Sequence, residues 1–338
     1  MHPNEFEVWY RAEKFTPPIP SPDRLVFTAD ALAHALFVTG RAPGDRTAHG
    51  LSSVYEWLHR VALVPAYVRR TPTGRIARSD LARELDRSEK GALSYALGQA
   101  MTGIFSEQAM DVRFLMHVDR YSLRYNLQFA AGTKQRADLF GEKQHGGWVV
   151  AEAKGRSGNI SSDLALKMWH QKRTVRTVQG QPPDPAYGCA AYFPRQAKGT
   201  PEPLALYVVD PDEDEVEAID LRVDPDQFVL AYYEPLLTAI EAGERQIGAS
   251  EFRTSSFGQF RLTVGILEVV AQRIERARDG DVRNLHRDVS DLLETYVPRS
   301  RPSDQFLDGT VMTTQWQENL SLNDWSGYQE ESDHYPRF

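Results

Sequence analysis

A glutamate and a lysine two residues apart, Glu152 and Lys154, close the apolar run Trp148-Val149-Val150-Ala151. Residues i and i+2 of a strand point to one face, so the two charges project together. The run before them is apolar on both parities, as in a strand covered on both sides. A carboxylate and an ammonium placed there are costly unless they are paired or bind something. Asp138 lies fourteen positions before Glu152, on what reads as the preceding strand. Residues 136–142 and 148–154 flank Lys143-Gln144-His145-Gly146-Gly147, a turn-like stretch with a Gly pair. A five-residue loop would pair Glu142 with Trp148 and set Asp138 across from Glu152. Opposed residues share a face with Cβ atoms roughly 5 Å apart, so two like charges there call for a cation between them. A slip of one residue would turn Asp138 to the other face. Two carboxylates and a lysine around one point suit a hard cation and a phosphate.

Composition singles out the lysine. Of the 39 basic residues only 8 are Lys, so a position needing no more than a positive charge would be Arg. Lys is a compact charge whose pKa shifts on burial, whereas Arg keeps its proton. Lys154 closes the chain's single Asp/Glu-x-Lys triplet.

Asp138…Glu152-x-Lys154 resembles the core motif of the PD-(D/E)xK nuclease superfamily, departing from it in Ala137, which stands in place of a proline that is often absent in the superfamily. The order of elements over residues 88–210 is similar too. A helix over about 88–110 precedes a strand over 122–130, the Asp strand and the Glu-x-Lys strand. A helix over about 161–178 and a strand over about 188–193 follow. The resemblance implies an α/β fold with a restriction-endonuclease-like αβββαβ core, a mixed sheet, and helical extensions at both ends. It implies a nuclease, foremost a DNA endonuclease of bacterial restriction or phage defence. Mg²⁺ is the implied cofactor, with Mn²⁺ able to substitute, held by Asp138, Glu152 and the Ala153 carbonyl; Lys154 would serve the attacking water and the phosphate. Many members add an acidic residue from the first core helix. Glu107 is the candidate here, with His117 as the alternative. Gln171 resembles the glutamine that RecB-like and lambda-exonuclease-like members carry after the lysine, although Val175 stands where they have Tyr.

The elements that must position these groups are partly legible. Ser88 reads as the N-cap of the long helix, whose Leu93, Ala96, Leu97, Ala100, Met101, Ile104 and Phe105 follow helical spacing. In the helix after the site, Lys167, Lys172, Arg173 and Arg176 are candidate phosphate contacts. Asp80 to Ser88 has the flavour of a helix-turn-helix, with Asp86 where the turn usually has Gly. Residues 1–87 divide into a proline-rich extended arm (1–26) and short helices over 28–40, 50–64 and 79–86. Helices are expected at about 225–242, 263–277 and 282–296, so 211–297 reads as mostly helical. Residues 298–338 read as a polar tail that Trp316 and Trp325 could anchor.

Composition narrows the classes. With 338 residues, 41% hydrophobic and 25% charged, the chain is an ordinary globular mix. Its single cysteine, Cys189, forbids an intramolecular disulfide, sits in an apolar strand as a core thiol, and suits a reducing cytoplasm. No apolar stretch is long enough to span a membrane, and the start carries Glu5 and Glu7, unlike a signal peptide. The net charge of −8 does not advertise a nucleic-acid binder, but its distribution matters more. Residues 154–176 carry six basic groups against one acidic, while 202–251 carry fourteen acidic against two basic. The first segment suits nucleic acid; the second suits a protein partner or a second copy of the chain. The competing readings are a DNA-binding regulator using 75–98 on a nuclease-like scaffold, and an interaction module within a larger complex.

Overall fold

The computed structural model describes residues 5–21, 23–40, 49–118, 137–161, 163, 164, 166, 168, 175–194, 203–210, 219–245 and 251–321. The fold is α/β around a mixed seven-stranded sheet. Its strands are β1 (Glu5–Glu13), β2 (Asp23–Thr28), β5 (Val112–His117), β6 (Leu139–Lys143), β7 (Trp148–Arg156), β9 (Ala186–Tyr192) and β10 (Ala205–Val209). They run in the order β2-β1-β10-β9-β7-β6-β5. The pairs β1–β10 and β7–β9 are parallel and the others antiparallel.

Side chains alternate across a strand, so the register assigns the two faces of this sheet. Tyr10, Leu206, Ala191 and Gly155 share one face, as do Val208, Cys189 and Ala153. That face is packed by helices α1 (Ala29–Val38) and α4 (Arg87–Met110). Phe105 of α4 meets Tyr10 edge-on at 5.3 Å and Tyr187 at 6.0 Å. The opposite face carries Glu152, Lys154 and Arg156 on β7, Gly188, Ala190 and Tyr192 on β9, Tyr207 and Val209 on β10, and Trp9, Arg11 and Glu13 on β1. Leu164 and Met168 pack there against Ala190 and Val209.

The N-terminal residues depart from the expected arm. Phe6, Val8 and Tyr10 are buried, and β1 and β2 complete the central sheet. Helix α2 (Ser52–Tyr67) leads to a small hairpin, β3 (Val68–Arg70) and β4 (Ile76–Arg78), and then to the short helix α3 (Asp80–Glu84). Helix α3 has five residues, with Leu81 exposed and Ala82 buried in the core. The cap of α4 is Asp86, not Ser88. Its carboxylate accepts from Ser88 and Glu89 N–H while Glu89 accepts from the Asp86 N–H, a reciprocal capping box. The strand expected over 122–130 lies outside the described residues. Among the described residues the strand before the Asp strand is β5, whose Val112, Phe114 and Met116 are buried.

After the site, Asp163, Leu164, Leu166 and Met168 are helical, but the expected helix stops before residue 175. Val175–Val178 is β8, paired in parallel with β11 (Ile219–Leu221). The next region combines helices with a second sheet. Helix α5 (Pro225–Ala242) matches expectation, but β12 (Glu244–Arg245), β13 (Phe252–Phe257), β14 (Leu262–Leu267) and β15 (Thr310–Thr314) form a four-stranded antiparallel sheet beside α5, α6 (Glu268–Arg278) and α7 (Leu285–Tyr296). The apolar run 262–267 is a strand where a helix is expected, because a short buried strand and a helix segment look alike by periodicity. Part of the expected tail is structured as well. Beyond β15, Trp316 is buried before α8 (Gln317–Leu320), its indole N–H donating to the Phe260 carbonyl at 2.8 Å; Trp325 lies outside the described residues. Some of the acidity of 202–251 serves the fold. Asp224 caps α5, Asp226 accepts from the Asn284 and His286 N–H groups, and Glu241 pairs with Arg278 at 2.7 Å. No helix among the described residues is long and apolar enough to cross a membrane.

Candidate active site

The β6–β7 hairpin sets the site. Gly146 and Gly147 have φ of 85° and 93°, the left-handed region that glycine enters without penalty. They let Lys143 N–H reach the Gly147 carbonyl at 3.0 Å and fix Glu142 opposite Trp148. The ladder runs to Leu139 opposite Ala151, and the next position brings Asp138 to Glu152. Two reciprocal bonds lock that step: Asp138 N–H donates to Glu152 Oε2 at 3.2 Å, and Ala153 N–H donates to Asp138 Oδ2 at 3.2 Å. Lys154 Nζ bonds Glu152 Oε1 and stands 3.9 Å from Asp138 Oδ2. The ammonium therefore lies against both carboxylates.

Their surroundings differ. The Glu152 side chain is fully enclosed, whereas those of Asp138 and Lys154 are about a fifth exposed, 23% and 21%. Burial first, and the Asp138 charge second, push the Glu152 carboxyl up to about 7, against the pull of Lys154. Glu152 therefore takes a proton more readily than an ordinary glutamate, unless more positive charge arrives. The oxygens available to a hard cation are those of Asp138 and Glu152 and the Ala153 carbonyl. In an extended strand a residue's N–H and C=O lie on one edge, here the edge toward Asp138. Among the described residues no group of three or more His, Cys, Asp or Glu side chains converges as a metal site.

Backbone contact supports the site from behind. A Cβ added at Gly98 of α4 would meet the Lys154 carbonyl oxygen at 2.6 Å, and one added at Gly155 would meet the Ser94 carbonyl oxygen at 1.7 Å. Helix and strand thus touch through bare backbone beside Lys154. Thr102 hydrogen-bonds the Cys189 thiol, which burial pushes up to about 12, in keeping with a core cysteine. On the site face, a Cβ at Gly188 would lie 2.8 Å from Met168 Cβ, so the strand beside Glu152 must be narrow there. These glycines are legible in the sequence only as residues; their need for close approach belongs to the packing.

The structure does not bring Glu107 to Asp138 and Glu152. Helix α4 covers the face of Ala153 and Gly155, whereas Glu152 leaves β7 on the other face. Glu107 lies nine residues beyond Gly98, about 13 Å along the helix. Its carboxylate accepts from Arg301 at 2.7 Å, and its other charged neighbours are His34 and Asp308; burial raises its pKa. His117 pairs with Leu139, one step from Asp138 and on the α4 face. Gln171, Lys167, Lys172 and Arg173 lie outside the described residues. Arg176 is described: it is exposed on β8, not on a helix.

No family model, no curated protein and no solved structure matches the chain.

Proposed function

We propose that the chain is a divalent-metal-dependent nuclease that hydrolyses phosphodiester bonds, foremost a DNA endonuclease. The observation that carries this reading is the meeting of Asp138, Glu152 and Lys154 at the end of one hairpin, with the ammonium against both carboxylates. The resemblance of these residues to the PD-(D/E)xK motif, and a mixed sheet backed by α4, support it. A restriction-endonuclease-like core, a cytoplasmic location and a role in restriction or phage defence belong to the same proposal.

Asp138, Glu152 and the Ala153 carbonyl would hold Mg²⁺, or Mn²⁺ in its place. A bound ion of this kind lowers the pKa of its water and polarises a phosphoryl oxygen. The remaining work falls to the chain. The Ala153 N–H holds Asp138 through Oδ2, so Oδ1 is the oxygen it would offer a ligand. The Asp138 N–H holds Glu152 in its enclosed position, where its charge attracts a cation strongly because little water screens it. Lys154 is partly exposed, so its ammonium can leave Glu152 for a substrate phosphate, where it offsets the charge that builds on the phosphoryl oxygens and orients the attacking water.

The test is incubation with plasmid, linear duplex, single-stranded DNA and RNA, each with Mg²⁺, Mn²⁺ or EDTA. Metal-dependent cleavage of at least one substrate is expected. Lys154→Ala should abolish it while leaving the fold intact. Cleavage by that variant at the wild-type rate would remove the lysine from the mechanism, and no cleavage of any substrate by the wild type would end the nuclease reading.

A further inference from the structure

Two neighbouring rows cross the site face of the sheet. One runs Lys154, Ala190, Tyr207, Arg11 across β7, β9, β10 and β1. The other runs Arg156, Tyr192, Ala205, Trp9, Arg24 and reaches β2. Both rows are basic at both ends, with Lys154 and Arg156 at the site and Arg11 and Arg24 at the far edge, and neither contains an acidic residue. Three to four strand spacings of about 4.8 Å separate the two ends, roughly 14 to 19 Å.

The middle of the rows is closed. Ala190, Tyr192 and Ala205 are buried, and Leu164 and Met168 cover Ala190. The far edge is open: the side chains of Arg11 and Arg24 are 43% and 54% exposed. Both are held in place. Arg11 pairs with Glu13 at 2.6 Å, and Glu13 also accepts from the Tyr207 hydroxyl at 2.7 Å. Arg24 pairs with Glu7 at 3.1 Å, with its guanidinium 6.0 Å from the centre of the Trp9 ring. A guanidinium has five N–H donors in a rigid fork, so one carboxylate can aim it while other donors reach a phosphate.

We infer that Arg11 and Arg24 form a second contact for the nucleic-acid backbone, on the site face of the sheet and roughly 14 to 19 Å from Lys154. The inference rests on the nuclease reading and adds where the substrate strand goes on leaving the site. At the stacked rise of about 3.4 Å per nucleotide, the two anchor points lie about four to six nucleotides apart, and about half as many where the strand is extended. The contact is to phosphate, so it is indifferent to sequence but sensitive to length.

The experiment measures binding of labelled single-stranded oligonucleotides in EDTA at several salt concentrations, for wild type, Arg11→Gln/Arg24→Gln and, as a control, Arg287→Gln. Arg287 is on α7 with its side chain 69% exposed. With oligonucleotides longer than about eight nucleotides, the double variant should bind about tenfold more weakly, and its salt slope should fall by about 1.4, or 0.7 for each phosphate no longer neutralised. With dinucleotides it should match wild type, because even fully extended they are too short to reach from Lys154 to the far edge. The control should match wild type at every length. Equal affinity and slope with the long oligonucleotides would overturn the inference. So would the same loss at every length, the same loss in the control, or failure of the wild type to bind any of them. Arg24→Gln alone, a change at the more exposed of the two, should give half the slope change and serves if the double variant unfolds. The two readings fail separately. Length-dependent binding by a wild type that cleaves nothing in Mg²⁺ would leave the second anchor standing without the nuclease. Cleavage by a wild type whose double variant binds equally well would do the reverse.

Discussion

Replacing Gly155 by alanine tests whether the contact between α4 and β7 sets the site. The added Cβ would stand 1.7 Å from the Ser94 carbonyl oxygen, 2.2 Å from its carbon and 2.9 Å from Tyr95 N, where ordinary contact begins at 3.4 Å. The interface must open by about 1.7 Å to relieve the first of these clashes, and all three atoms are backbone, which cannot rotate aside as a side chain would. Overpacking costs about 1–3 kcal/mol, and rigid neighbours place this case at the upper end or beyond. Alanine recovers about 0.5–1 kcal/mol by restricting the unfolded chain. The net expectation is a loss of about 2 kcal/mol or more, read as a lower urea midpoint with an unchanged slope. Lys154 is the preceding residue, so the strand carries its ammonium along. A displacement of about 1 Å at a reacting group can cost about a hundredfold in rate. Gly98→Ala should act in the same direction from the helix side, where the corresponding approach is 2.6 Å. A Gly155→Ala protein that unfolds at the wild-type urea concentration and cleaves at the wild-type rate would refute the claim that this contact positions the lysine.

Glu107→Gln should leave metal-dependent cleavage within about twofold of wild type, since the carboxylate serves Arg301 rather than the pair at Asp138 and Glu152; a tenfold or greater fall in rate, about 1.4 kcal/mol, in a stably folded variant would return Glu107 to the site. His286 Nε2 lies 2.8 Å from both oxygens of Glu142, and this contact ties α7 to the hairpin that carries Asp138. The hydrogen bond to Glu142 raises the histidine's pKa, so the contact should stabilise the fold fully below the ordinary histidine range and lose its effect as pH rises through the raised value. Denaturation of wild type and His286→Gln across that range should show the difference shrinking as pH rises, by less than about 1 kcal/mol in all because the pair is partly solvated. A difference independent of pH would show that the imidazolium charge plays no part.

The sequence alone supplied the hairpin and its register. The Gly pair and the two strand patterns placed Glu142 against Trp148, and from that step Asp138 fell next to Glu152. These are local relations, fixed by turn chemistry and period-two alternation. Helix α4 was legible for the same reason, although its cap is Asp86, since Asp86 and Ser88 are both good caps and only the backbone path chooses between them. The signal for β1 was also present, in the alternation of Phe6, Val8 and Tyr10, but the prolines that follow it suggested an extended arm. What the sequence could not decide was which distant elements share a face. Glu107 lies on the helix expected to supply an extra acid, yet α4 packs behind β7 while Glu152 projects in front. Arg11 and Arg24 fall in rows with Lys154 and Arg156 only because β1 joins β10 in the central sheet. Such relations depend on strand order and on the near approach of Gly98 and Gly155, set by many weak attractions summed over the whole core, and no short stretch of sequence encodes them.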